Sequence, residues 1–246
     1  MTNIIEQEFK YGTNSIPNSL WGSMGYTYGK CSRQLHYNNK FGKVGFTQQD
    51  INMMKRGTEI HTVVESYLKN IWSNFDIENE VKKSFDIVLP DGTRFIIGAK
   101  PDLLIHFTDN DEGLQKILIE IKYIYSRSAY YQTLIERLVF PEFRVMCFQY
   151  GNLNKPQFAK NIIIPLKADY EMSIVYAGRI ITALYHLPPR FPLAHANHPV
   201  CNKCIHKEVC YLTPDLDIGQ QHDAWNEFKS LSQPYIDSVR NARRTL

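Results

Sequence analysis

The segment Ile117–Ile124 reads ILIEIKYI, apolar except for Glu120 and Lys122. Strand alternation puts those two charges on one face and Ile119, Ile121 and Tyr123 on the other. Apolar residues on such a strand call for cover, and a charge buried among them must be paired, bind a metal or open onto a cleft. Taken alone, E-x-K also describes a salt bridge on a solvated sheet face. The preceding strand changes that reading. It opens with Pro101-Asp102 and is led by Gly98, where the missing side chain would let another chain or a ligand approach closely. Asp102 and Glu120 together are carboxylates suited to a hard divalent cation, Mg²⁺ or Mn²⁺. Lys122 beside them is placed to hold a scissile phosphate or orient a water.

The surrounding pattern is mixed α/β. Residues 48–73 repeat apolar positions at steps of three and four, from Ile51 and Met54 through His61, Val64 and Leu68 to Ile71, and predict a long helix. This helix carries Arg56-Gly57-Thr58-Glu59-Ile60-His61. His61 becomes a site residue only if the helix packs over the ends of the strands bearing Asp102 and Glu120; otherwise Glu65, one turn on, is its natural pairing partner. Residues 81–124 read as a meander of about four strands. Helices are expected over about 128–138, 142–151, 168–187 and 219–243, the last broken near Pro234, with one more strand over Asn161–Leu166. Residues 1–30, rich in Gly, Tyr, Ser and Asn, read as an irregular arm.

Composition bounds the class. Of 246 residues 43% are hydrophobic and 22% charged, which excludes a disordered chain. A net charge of +3 neither establishes nor excludes a nucleic-acid partner, since a basic groove fits within a nearly neutral total. No secretory signal and no membrane-spanning run is evident, so a soluble cytoplasmic protein with no membrane partner is expected.

The five cysteines are too few for a disulfide scaffold, and their placement is uneven. Cys201-x-x-Cys204 followed by Cys210 is a metal-chelating group lacking one ligand. Cys31 and Cys147 are candidates for the fourth position, with His198 or His206 as imidazole alternatives. Cys147, within Val145-Met146-Cys147-Phe148, suits a buried packing role better. A zinc or an iron–sulfur site fits the spacing.

In order along the chain stand Cys31 with Arg33-Gln34, Gly57-x-x-x-His61, Pro101-Asp102, Glu120-x-Lys122 and Cys201-x-x-Cys204-x5-Cys210. This series resembles the RecB-like nucleases of the PD-(D/E)XK superfamily and, within it, the CRISPR-associated exonucleases of the fourth Cas family. The resemblance implies a restriction-endonuclease-like mixed sheet flanked by helices, with a small iron–sulfur subdomain built from both chain ends. It implies a 4Fe-4S cluster on Cys31, Cys201, Cys204 and Cys210. It also implies a Mn²⁺ or Mg²⁺ ion held by His61, Asp102, Glu120 and the backbone carbonyl of Ile121, with Lys122, Glu120 and Asp102 catalytic. The corresponding division is an N-terminal arm over 1–47, a nuclease core over 48–187, and a cysteine cluster with helical extension over 188–246.

The family also carries a helical Q-x-x-x-Y motif after the lysine. Met146 to Tyr150 is the best match here, keeping Tyr150 with Met in the glutamine position, and Gln149 or Gln132 stands as a substitute. Tyr150, Gln149, Arg127 and Tyr130 are thus expected DNA contacts, Tyr125 and Tyr131 adding to the aromatic and basic start of that helix. The implied activity is an exonuclease on single-stranded DNA ends, 5′ to 3′, trimming fragments for CRISPR spacer acquisition. CRISPR adaptation proteins would be partners and an oligomer is compatible with the reading. A non-catalytic DNA-binding or assembly subunit, a RecB-like nuclease of viral or cellular recombination, and a zinc-stapled enzyme of another kind are the alternatives.

Overall fold

The computed structural model describes residues 18–41, 48–109, 113–122, 126–150, 162–165, 170–186, 204, 206 and 218–244. Within them the chain is mixed α/β, two mixed sheets flanked by helices. The elements are β1 (Ser19–Trp21), α1 (Gly22–Lys30), α2 (Ser32–Phe41), α3 (Gln48–Ile71), β2 (Asp76–Asn79), β3 (Lys83–Val88), β4 (Arg94–Ala99), β5 (Leu103–Asp109), β6 (Gly113–Lys122), α4 (Arg127–Val139), β7 (Arg144–Gln149), β8 (Ile162–Pro165), α5 (Tyr170–Tyr185) and α6 (Ile218–Arg244). No helix among the described residues is long and apolar enough to cross a membrane.

The expected meander exists but divides between the two sheets. β3 and β4 pair antiparallel, and β1 joins β4 in parallel to make a three-stranded sheet. β5 and β6 belong to a five-stranded sheet of order β2-β5-β6-β7-β8, in which only the β6–β7 pair is parallel. The split falls at Lys100-Pro101-Asp102, just where the first candidate carboxylate sits.

Side chains alternate across the larger sheet and so divide its core in two. Leu103, Ile105, Ile119, Ile121, Phe148 and Tyr150 pack with Val64 and Leu68 of α3. Leu104, Leu118 and Val145, on the opposite face, join the main core with Leu134, Ile135 and Leu138 of α4 and Ile180 and Ile181 of α5. Glu120 and Lys122 share the parity of Leu118 and therefore face α4, while α3 covers the other side.

Three expectations fail for identifiable reasons. Residues 142–151 are not helical: Arg144–Gln149 is strand β7. Val145 and Cys147 point to one layer and Met146 and Phe148 to the other, so a central strand covered on both faces has the same apolar run as a buried helix. Pro234 does not break α6, which continues through it while Phe228, Ile236 and Val239 bury against the core. Nor is the whole of residues 1–30 an irregular arm, because Gly22–Lys30 forms helix α1. Its glycines lower intrinsic helix propensity, yet they are what lets α1 lie against α4. A Cβ on Gly25 would come 2.7 Å from the carbonyl oxygen of Tyr131, and one on Gly29 2.7 Å from Cα of Ser128.

Candidate metal and phosphodiester site

Asp102 stands just before β5, beyond the last Leu103–Ile119 rung of the β5–β6 ladder. Its Oδ2 accepts the backbone N–H of Ile121 at 2.6 Å, supplying the acceptor that the ended strand no longer provides. This bond fixes the carboxylate at the C-terminal end of β6 and leaves Oδ1 facing α3. There His61 Nδ1 lies 3.6 Å away, with side chains 29% and 20% exposed for His61 and Asp102. α3 thus does pack over the strand ends, the condition under which His61 was expected to matter. The contact with Asp102 raises the imidazole above its ordinary pKa, against burial, which lowers it. Glu65, one turn along α3, completes a group in which His61, Glu65 and Asp102 each bring a donor atom within 4.8 Å of the others.

On the α4 face, Glu120 is 1% exposed. Its Oε1 accepts from the Lys122 ammonium and from Gln132 Nε2, the latter at 2.6 Å. The same Gln132 amide donates to Glu136 Oε1 at 2.9 Å. Glu136 is likewise 1% exposed, and Oε2 of both glutamates is buried with no hydrogen-bond partner among the described residues. Burial pushes Glu120 well above the usual carboxylate range, Glu136 and Asp102 add to it, and Lys122 pulls it back. Burial also raises Glu136. For Lys122 burial favours the neutral amine, but the Glu120 and Asp102 carboxylates prevail and hold it as an ammonium. Glu120, Lys122 and Asp102 therefore form one electrostatic neighbourhood at the end of β6, with His61 and Glu65 behind it.

α1 roofs this face. Gly22 lies over Glu136, where a Cβ would fall at van der Waals contact, 3.4 Å from Oε1. The Tyr26 ring faces two cations, with its centroid 5.8 Å from Lys122 Nζ and 4.6 Å from Lys30 Nζ. Of the four expected DNA contacts, Tyr150 is buried in the smaller core with its ring edge-on to His61, centroids 6.5 Å apart. Gln149 is half-buried and registers with Lys122 across the β6–β7 pair. Arg127 bonds the Tyr131 hydroxyl at 3.2 Å, and Tyr130 reaches Met172 Sδ at 3.9 Å. Tyr125 lies outside the described residues. Sequence reasoning weighed Gln132 only as a substitute and passed over Glu136 and Tyr26. The available signal for the first two was a polar i, i+4 pair on the buried part of an apolar helix.

Gly98, expected to admit a ligand or chain, admits Trp21: a Cβ there would fall 2.4 Å from the indole Cζ3. Cys31 joins α1 to α2, its N–H donating to Thr27 and its carbonyl accepting from Leu35. His206, two residues beyond Cys204, is buried on α2, with Nε2 2.8 Å from Asn38 Oδ1 and its ring 5.7 Å from Tyr37. The His206 side chain thus rests on α2, which follows Cys31, while Cys201, Cys210 and His198 lie outside the described residues. Cys147 is fully buried beside Glu120 in the β6–β7 register, and burial pushes its thiol up to about 12, as befits a packing residue.

No protein-family model matches the chain, and no curated protein matches it. Among solved structures the protein SSO0001 is similar in fold. The TM-score is 0.54 at 19% identity, over 85% of this chain and 92% of that one.

Proposed function

We propose that the protein is a metal-dependent deoxyribonuclease with a restriction-endonuclease-like core, acting on single-stranded DNA ends in the 5′ to 3′ direction. Its role would be to trim fragments for CRISPR spacer acquisition. The observation that carries the proposal is the convergence of His61 and Asp102 with the buried Glu120–Lys122 pair at the end of β6. A salt bridge on a solvated sheet face would be exposed; here the Glu120 side chain is 2% and that of Lys122 18% exposed, and Glu120 Oε2 is buried with no hydrogen-bond partner among the described residues.

His61 nitrogen and the Asp102 and Glu120 carboxylates, with the Ile121 carbonyl, would hold Mn²⁺ or Mg²⁺, hard ions that prefer such donors. When bound, the ion polarises the phosphodiester and lowers the pKa of a water. The chain's own groups supply the rest. Lys122 remains an ammonium beside a carboxylate and can hold a phosphate oxygen or donate to the attacking water. Gln132 fixes the orientation of Glu120, and Tyr26 with Lys30 offers a base-stacking ring and a backbone charge at the mouth of the site. Cys31, Cys201, Cys204 and Cys210 would hold a 4Fe-4S cluster tying the two chain ends together, a reading supported by the contact of His206, two residues after Cys204, with Asn38 of α2, the helix that follows Cys31.

The direct test is Mn²⁺-dependent degradation of end-labelled single-stranded DNA by protein purified anaerobically. Activity that persists in full in a folded Lys122→Ala protein would overturn the mechanism. DNA binding without cleavage in every divalent metal would instead favour a binding or assembly subunit.

A further inference from the structure

The ligand set drawn from the E-x-K pattern takes its third side chain from β6, yet the geometry points to another on α3: we infer that Glu65 is a direct ligand of the divalent cation, together with His61 and Asp102. The inference rests on the metal-dependent reading above and extends it.

Residues one helical turn apart present side chains to the same spot. His61 and Glu65 are so related, and α3 lays that face against Asp102. Asp102 cannot turn away, because its Oδ2 is bound to the Ile121 amide. Its free Oδ1 lies 3.6 Å from His61 Nδ1, too far for a hydrogen bond but inside the spacing of roughly 3–4.2 Å that two donors about 2.1 Å from one octahedral ion adopt. The Glu65 carboxylate falls within the same 4.8 Å group. Glu120 is placed differently: Lys122 and Gln132 share its Oε1, so only its Oε2 is left for the ion.

Glu65 is half-buried, so its carboxylate is held near the site while leaving coordination positions open to water and a phosphate.

The test measures metal binding rather than activity. Mn²⁺ is titrated into the full chain, with free Mn²⁺ followed by electron paramagnetic resonance, for wild type, Glu65→Gln, Asp102→Asn and the exposed-face control Glu59→Gln. Glu65→Gln should weaken Mn²⁺ binding at least tenfold, as Asp102→Asn does, and Glu59→Gln should not. Glu65→His provides a gain-of-function arm in case the glutamine variant folds poorly. An i, i+4 histidine pair beside Asp102 should bind Zn²⁺ at least tenfold more tightly than wild type. Wild-type affinity in Glu65→Gln alongside loss in Asp102→Asn overturns this inference alone, as does Glu65→His with unchanged Zn²⁺ affinity. Absence of Mn²⁺ binding by the wild type overturns the metal-dependent reading itself.

Discussion

Glu120 shares one oxygen between Lys122 and Gln132 and leaves the other buried without a partner among the described residues, so substitutions around it alter folding as well as chemistry. Removing one member of a buried ion pair costs about 3–5 kcal/mol where the other stays charged. Lys122→Met should come out at or below the low end of that range, because Glu120, already raised well above the carboxylate range, takes up a proton instead. The urea midpoint should drop accordingly. The double variant Glu120→Gln/Lys122→Met should recover much of the lost stability while remaining inactive on DNA. A double variant as unstable as the single one would show that the pair does not act as a unit. The same logic makes the folded-state control indispensable for any alanine scan of this site.

α1 and α3 each carry glycines, with opposite consequences. Gly25 faces the Tyr131 carbonyl across a gap no side chain fits, and main chain cannot move aside as a flexible side chain does. Gly25→Ala should therefore destabilise the fold by about 1–3 kcal/mol, the usual cost of overpacking, measurable by urea denaturation. Gly57, in the G-x-x-x-H stretch of α3, has nothing within 4 Å of its would-be Cβ. Gly57→Ala should stabilise by about 0.5–1 kcal/mol through helix propensity alone. An unstable but folded Gly57→Ala protein would reveal a requirement for close approach at that position. At this same scale lie the misread elements. α3, β4, β5, β6, α4 and α5 were legible because their apolar positions repeat with one clear period. β7 was not, because both of its faces are buried, and α1 was not, because packing against α4 outweighs glycine's poor propensity.

Across the described residues, α1 near their start and α6 at their end both bury side chains in the main core, Tyr28 from the one and Phe228, Ile236 and Val239 from the other. If the four cysteines hold a cluster as proposed, Cys204→Ala should lower the melting temperature and abolish the brown colour such a cluster gives; an unchanged melting curve would contradict a structural role for the cysteine set. α6 and α5 meet near Tyr185, whose ring stacks on Tyr235 with centroids 6.2 Å apart and whose hydroxyl is buried without a partner among the described residues. Burial first, then Asp91 and Tyr235, pushes this phenol up to about 12. The folded state holds the proton more tightly than the unfolded chain, whose tyrosines titrate near about 10. Stability from this group is therefore intact below about pH 10 and is lost as the pH rises through about 12. Tyr185→Phe should match or exceed wild-type stability at neutral pH, since no made hydrogen bond is lost, and its melting temperature should fall less steeply in alkali. An identical alkaline slope in the two proteins would remove Tyr185 from the account.

The sequence by itself determined the identity of the charged strand and its parity. Two-residue alternation is a local property, and Glu120 and Lys122 could only share a face. It also determined that Pro101-Asp102 opens the neighbouring strand and that His61 rides a long helix, since period and turn chemistry act over a few residues. Only the tertiary structure decided that Glu120 is buried against α4, that Gln132 and Glu136 join the carboxylate there, and that Asp102 is locked to the Ile121 amide while facing His61 and Glu65. These are contacts between segments far apart in the chain, fixed by which elements pack together. No local period encodes how closely a glycine-bearing helix approaches its neighbour, or which carboxylate a helix turn brings within reach of an ion.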